Sequence, residues 1–258
     1  MIKNERLRRF VRGLAIILLV IALGLFVEDA ISTANYQQTQ DDLDDLVEEV
    51  TEDVIDTTNQ NPDDFPVEEI VKGSAAFHDK LKTTNTDYVA WISMPGLSLD
   101  YPIVLGQDNS YYLTHSFYKK YSKYGTIFMD YRNAADFSAA HTVLYGHHMR
   151  NDTMFARLDE LRKKANYANN STFTIYTPDG LKTYAIFSVY PVDASTTTIS
   201  LPINASEVKQ RIADYTKKSL YATGVDTSNA TKILTLVTCT FVVDNGRLLV
   251  HAIEVDNP

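Results

Sequence analysis

Cysteine is almost absent: Cys239 is the only one in 258 residues. One thiol cannot build an internal disulfide framework. No CxxC pair or HExxH segment accompanies it to suggest a zinc site, and neither a metal nor a cofactor is expected. Ten Gly and eight Pro are too few for collagen-like or low-complexity architecture, and no repeat occurs at a solenoid period. Lys and Arg are missing from 28–69, which holds fifteen Asp and Glu. The formal net charge of −9 is therefore uneven. Residues 1–12 set five basic residues against Glu5, and residues 70–258 set 19 basic against 17 acidic. A near-neutral main portion argues against an acidic surface that recruits basic partners. It argues equally against a nucleic-acid binder, so no nucleic-acid partner is expected.

Long apolar runs are also scarce. The one that exists, Gly13 to Val27, is uninterrupted. With Phe10 and Val11 included and Arg12 snorkelling, it spans about 27 Å as a helix, close to a bilayer core of about 30 Å. Basic residues precede it and acidic ones follow, which predicts a cytoplasmic N-terminus and an extracellular remainder at the cell membrane. Ser32-Thr33-Ala34 loosely resembles a signal-peptide cleavage site, so a cleaved signal is the competing reading. The expected layout is a cytoplasmic basic tail (1–12), a transmembrane anchor (13–27), an acidic stalk (28–66) and a globular domain (67–258). In the stalk, Leu43, Leu46, Val47, Val50, Val54 and Ile55 recur at three- and four-residue steps, predicting an amphipathic helix over about 41–57. Its charges read as a solvated face on a hydrated spacer. Asn61-Pro62-Asp63-Asp64 breaks the pattern, and a second helix is expected over about 67–83.

From Tyr88 the texture turns to short β-like runs. Strands are expected at 88–93, 99–104, 126–130, 142–145, 172–176, 182–190, 232–238 and 247–254. Pro95-Gly96, Pro178-Asp179-Gly180 and Asp244-Asn245-Gly246 lie between them as turns. Eight strands at this density suggest a closed barrel or a sandwich. Helices are expected at 153–164 and at 206–219, the latter capped by Ser206 with Val208, Ile212 and Tyr215 on one face.

Chemistry concentrates at three places. The strand KILTLVT delivers Cys239 to its end, where side chains meet loops and solvent. A free Cys is most often a small buried hydrophobe, but that position suits a nucleophile if a cation or base lies near. Tyr145-Gly146-His147-His148 also closes a strand. Adjacent strand residues point to opposite faces, so the two histidines are poorly placed to share a metal. Arg247 follows Cys239 by eight residues across a hairpin-like connection, which can set a guanidinium beside the thiol to hold an oxyanion. Alone, Arg247 reads as a surface residue. His251 shares the face of Arg247 but lies about 13 Å along the strand, so His147 is the better base. His78, His115 and His141 have no helpful context and are expected to be structural or exposed.

The segment TLVTC (235–239), the downstream Arg247 and the earlier Gly146-His147 together resemble the sortase family. YGHHM followed by NDTMF, two helices before the barrel and a helix-containing insertion at about 200–222 resemble class B, over roughly 67–255. The resemblance implies a mostly β fold, a closed eight-stranded sortase-type barrel with a membrane anchor. It also implies a cysteine transpeptidase. Cys239 would attack after the Thr of an LPxTG-like sorting signal to form a thioacyl enzyme. His147 would act as acid and base, and Arg247 would hold the oxyanion or the substrate backbone. Thr238 would help to position substrate. The thioester would pass to an amine of a peptidoglycan cross-bridge or a pilin lysine. The variable position of the motif is Val237, where many class B members carry Ser. A cysteine peptidase on the same groups and an anchored extracellular binding module are the other readings.

Overall fold

In the computed structural model the described residues are 2–58, 67–197, 199–201, 203–241 and 245–256. Aromatic and β-branched runs become strands where alternate residues can face one interior. The eight are β1 (Tyr88–Met94), β2 (Leu99–Val104), β3 (Ile127–Met129), β4 (His141–Tyr145), β5 (Thr172–Thr177), β6 (Gly180–Asp193), β7 (Ile233–Thr240) and β8 (Gly246–Val255). They close into a barrel in the order β1-β2-β3-β4-β7-β8-β6-β5, which decides between barrel and sandwich. Pairs β2/β3 and β4/β7 are parallel and the others antiparallel. Ile92, Leu144, Leu234, Leu236, Leu248 and Val250 are buried in the interior. Each expected strand is present, with ends moved by up to three residues.

Helices depart further from expectation. The single helix expected over 67–83 is two, α2 (Val67–Lys72) and α3 (Ala75–Thr84). The chain breaks at Gly73-Ser74, where the Ser74 hydroxyl caps α3 by accepting from the Phe77 N–H (3.2 Å). The expected helix at 153–164 is a 3-10 stretch (Ala156–Arg162) leading into α4 (Lys164–Asn169). In the insertion, α5 (Val208–Lys218) buries Val208, Ile212 and Tyr215 as expected. Its leading turn is capped by Asn204 with Glu207 in a capping box, and not by Ser206.

The N-terminal helix α1 runs unbroken from Ile2–Thr58. Side chains 7–27 are exposed all round, as an apolar helix long enough to cross a membrane presents itself. Beyond them the helix docks. Ser32, Tyr36, Thr39, Leu43, Leu46 and Val50 are buried along one stripe, at the three- and four-residue spacing of one helix face. Tyr36 stacks on Tyr124 with ring centroids 4.2 Å apart, and the Lys123 N–H donates to Ser32 Oγ (3.1 Å). Lys80 pairs with Glu49 (2.7 Å). The segment read as a hydrated spacer is thus packed over 32–50 on the barrel and on α2 and α3, because its buried stripe begins with Ser32, Tyr36 and Thr39, ahead of the leucines and valines. The Asn61-Pro62 break lies outside the described residues, as does Asp244 of the turn before β8.

Candidate active site

Strand pairing sets the site. Cys239 lies directly opposite Arg247 on β7/β8. On the other side of β7, Tyr145 is in parallel register with Val237, and the Gly146 N–H donates to the Val237 carbonyl (3.1 Å). Continuing that register by two residues brings His147 alongside Cys239. All three residues line one pocket of about 370 Å³, together with Asn109, Leu113, Phe128, Tyr145, Gly146, Val237 and Thr238. Cys239 is half-buried.

Local packing fixes each group. A Cβ on Gly146 would come within 2.5 Å of Ile127 Cδ1 and 2.7 Å of the Phe155 ring, so glycine alone lets the chain leave β4 at this angle. The Phe155 N–H then donates to the His147 carbonyl (2.9 Å). The His147 ring donates Nε2–H to the Leu113 carbonyl (2.7 Å). A carbonyl only accepts, so the proton is on Nε2 and Nδ1 is the nitrogen left for chemistry. Arg247 donates to the Gly246 carbonyl (3.0 Å) and has no carboxylate partner among the described residues. Thr238 faces inward with Leu234 and Leu236; its hydroxyl is buried without a hydrogen-bond partner. Any contact it makes with a peptide comes from its backbone.

The two adjacent histidines part company. His148 donates Nδ1–H to the Cys239 carbonyl (2.8 Å) and meets the Phe241 ring edge-on. Among the described residues no group of three His, Cys, Asp or Glu is placed to hold a metal ion. His251 pairs with Thr235, four residues before Cys239, and is fully buried, so it is outside the pocket.

A model of the sortase domain matches residues 92–255. The chain belongs to the sortase family. Sortase B of Listeria monocytogenes is 31% identical over 176 residues, 66% of this chain and 71% of that protein. Sortase B of Staphylococcus aureus is 29% identical over 242 residues, 91% of each. Among solved structures, Clostridium perfringens sortase B is 37% identical with a TM-score of 0.64, covering 69% of this chain and 99% of that one. These relatives put the sortase domain in class B, a family of cysteine transpeptidases that act on sorting-signal substrates.

Reading the sequence missed Asp130, Arg132 and Asn109, which shape this sortase pocket, and gave Tyr145 no role. Asp130 is fully buried and accepts from Arg132 (2.7 and 2.8 Å), Asn109 Nδ2 (2.9 Å) and the Tyr145 hydroxyl (3.0 Å). Asn109 and Tyr145 are pocket walls. Burial alone would raise the Asp130 carboxyl, but hydrogen bonds led by Arg132 outweigh it and hold it at about 2. The Asp130-Tyr131-Arg132 run after an apolar strand was the available signal.

Proposed function

We propose that the chain is a membrane-anchored class B sortase that cleaves an LPxTG-like sorting signal after Thr and transfers the protein to an amine. The reading rests most on the register that pairs Cys239 with Arg247 across β7/β8 and carries His147 to the same pocket. Cys239 passes its thiol proton to His147 Nδ1, and the thiolate attacks the Thr carbonyl carbon, forming an S–C bond and a tetrahedral oxyanion. Arg247 donates to that oxyanion or to the substrate backbone. As the C–N bond breaks, His147 gives a proton to the leaving amine and the thioacyl enzyme remains. His147 then takes a proton from the incoming amine, from a peptidoglycan cross-bridge or a pilin lysine, and the S–C bond breaks as the new amide forms. Thr238 presents its backbone to the peptide. These steps balance with the side chains named.

The proposed layout is a cytoplasmic tail (1–12), a membrane span (13–27), an acidic segment (28–66) and an extracellular catalytic domain (67–258). Its support is the fully exposed apolar stretch of α1 and the basic residues before it. Staphylococcus aureus sortase B has been solved as a substrate complex, 25% identical to this chain, TM-score 0.67, covering 81% of this chain and 93% of that one.

The test incubates the full chain with a library of sorting-signal peptides, with and without an amine acceptor, and reads products by mass spectrometry. A thioacyl adduct on Cys239 and amide product only with the amine support the reading. Hydrolysis that ignores the amine would make it a peptidase, and turnover by Cys239→Ala would remove the nucleophile.

A further inference from the structure

The docking of α1 sets where the pocket lies relative to the proposed span, and this inference rests on that anchored reading. Val27 ends the apolar run. Two residues on, Asp29 pairs with Lys123, and Ser32 accepts from the Lys123 N–H (3.1 Å). Val27 to Ser32 rises only about 7.5 Å along a helix. The Lys123 backbone therefore stands close to the edge of the hydrocarbon. From there the chain leads straight to the pocket. The Ser122 N–H donates to the Thr114 carbonyl (2.9 Å) and the Thr126 N–H to the Tyr112 carbonyl (3.0 Å). Between Tyr112 and Thr114 is Leu113, the pocket wall that accepts from His147.

This same region carries surface groups that bilayer interfaces favour. Large hydrophobic side chains are exposed at Tyr111 (38%), Leu113 (36%) and Tyr121 (55%). Lys120 and Arg150 are exposed and have no carboxylate partner among the described residues. Arg150 is next to Asn151, whose amide reaches the Tyr124 hydroxyl (3.5 Å), and Tyr124 stacks on α1 at Tyr36. Tyrosine rings and the long side chains of Lys and Arg sit well at headgroup depth. Glu28, Asp108 and Asp152 are exposed beside them, so the face has no net positive charge, and the rings and Leu113 supply most of the contact.

We propose that Tyr111, Leu113, Lys120, Tyr121 and Arg150 form a face that rests on the phospholipid surface around the span. That face holds the mouth of the Cys239 pocket at the lipid–water boundary. A substrate is then met as it emerges from the bilayer, and not at the far end of a stalk.

The opposite end of the domain gives an internal control. Glu49, bonded to Lys80, is twenty residues beyond Asp29, about 30 Å along the helix. Asp179 shares a pocket with Asp79, the neighbour of Lys80. The test reconstitutes the full chain in phosphatidylcholine vesicles, with or without phosphatidylglycerol, using acyl chains brominated near the headgroup. Trp91 is the only native tryptophan and is buried, so the parent chain supplies the baseline. In floated vesicles, Tyr121→Trp should lose emission to the bromines while Asp179→Trp does not. The added loss should persist without phosphatidylglycerol, since the face carries no net positive charge. Floated protein in which positions 121 and 179 are quenched alike overturns the docking face and leaves the anchor standing. Protein that does not float overturns both.

Discussion

His147 commits its Nε2 proton to a backbone carbonyl, and that single bond defines the chemistry left to its ring. Nδ1 is the proton carrier, and the Leu113 carbonyl stabilises the imidazolium when Nδ1 is protonated. His147→Ala should lower peptide turnover by about 10²–10⁴, the usual scale of general acid–base catalysis, while the thioacyl adduct still forms slowly. His148 holds the carbonyl of the nucleophile itself. His148→Ala should cost less than His147→Ala, and a larger loss measured side by side would reassign the proton carrier. Arg247 offers a planar fork directly opposite Cys239. Arg247→Lys should be severely impaired although its charge is kept, because an ammonium cannot reproduce the fork; near-normal turnover would show that charge alone suffices. Asp130 differs in kind, since it holds Asn109 and Tyr145 without lining the pocket. Its carboxyl, held at about 2 against an ordinary 3.8, contributes stability above pH 4. As pH falls from about 4 towards 2 that contribution, about 2 kcal/mol, is lost. Asp130→Asn should remove that acid limb in urea melts and raise KM for peptide more than it lowers kcat.

At the scale of elements, β7 carries two kinds of polar chemistry on one face. Its end presents Cys239, and four residues earlier Thr235 joins two buried histidines. The Thr235 hydroxyl lies 2.7 Å from both His141 Nε2 and His251 Nδ1, and His251 stacks on Tyr215 of α5 with centroids 3.9 Å apart. Burial depresses both histidines, His141 to about 4 and His251 well below the ordinary imidazole range. Both are then neutral in the folded protein at a pH where the unfolded chain is already protonated. The unfolded state binds more protons between about pH 6.5 and 4, so stability should fall as pH drops through that window. His251→Gln should flatten the slope in pH-dependent melts of α5 and β7. The strands themselves were legible because alternation has a two-residue period that survives without neighbours. The triad candidates were legible because Cys239 and Arg247 are joined by one hairpin. The role of His141 was not: it depends on Thr235, 94 residues away, which no local pattern shows. The split at Gly73-Ser74 was not read from the helical pattern that runs through it, although Gly73 and the N-cap Ser74 are its local signals; packing of Lys72 onto Asp100 (2.6 Å) and Trp91 accompanies the turn.

At the scale of the whole molecule, the question is what holds the acidic helix to a nearly neutral barrel. Its visible charge contacts, Lys80–Glu49 and Lys123–Asp29, are exposed pairs, and such pairs contribute little and are screened by salt. The buried stripe contributes more. Leu43 and Leu46 join a core with Phe77, Leu81, Tyr88 and Trp91, and cutting a buried Leu to Ala costs about 2 kcal/mol or more. Leu43→Ala with Leu46→Ala should therefore release α1 from the barrel, whereas high salt should not. Hydrogen exchange over 32–50 in detergent checks both, and release by salt alone would make the docking electrostatic. The functional consequence separates chemistry from placement. The double variant should cleave soluble peptides in detergent at the parental rate, because Cys239, His147 and Arg247 are positioned by β4, β7 and β8 and not by that stripe. With the full chain in vesicles and a substrate anchored in the same bilayer, its turnover should fall, since the pocket is no longer held at a fixed height. Equal turnover in vesicles would return the acidic segment to the role of a passive spacer.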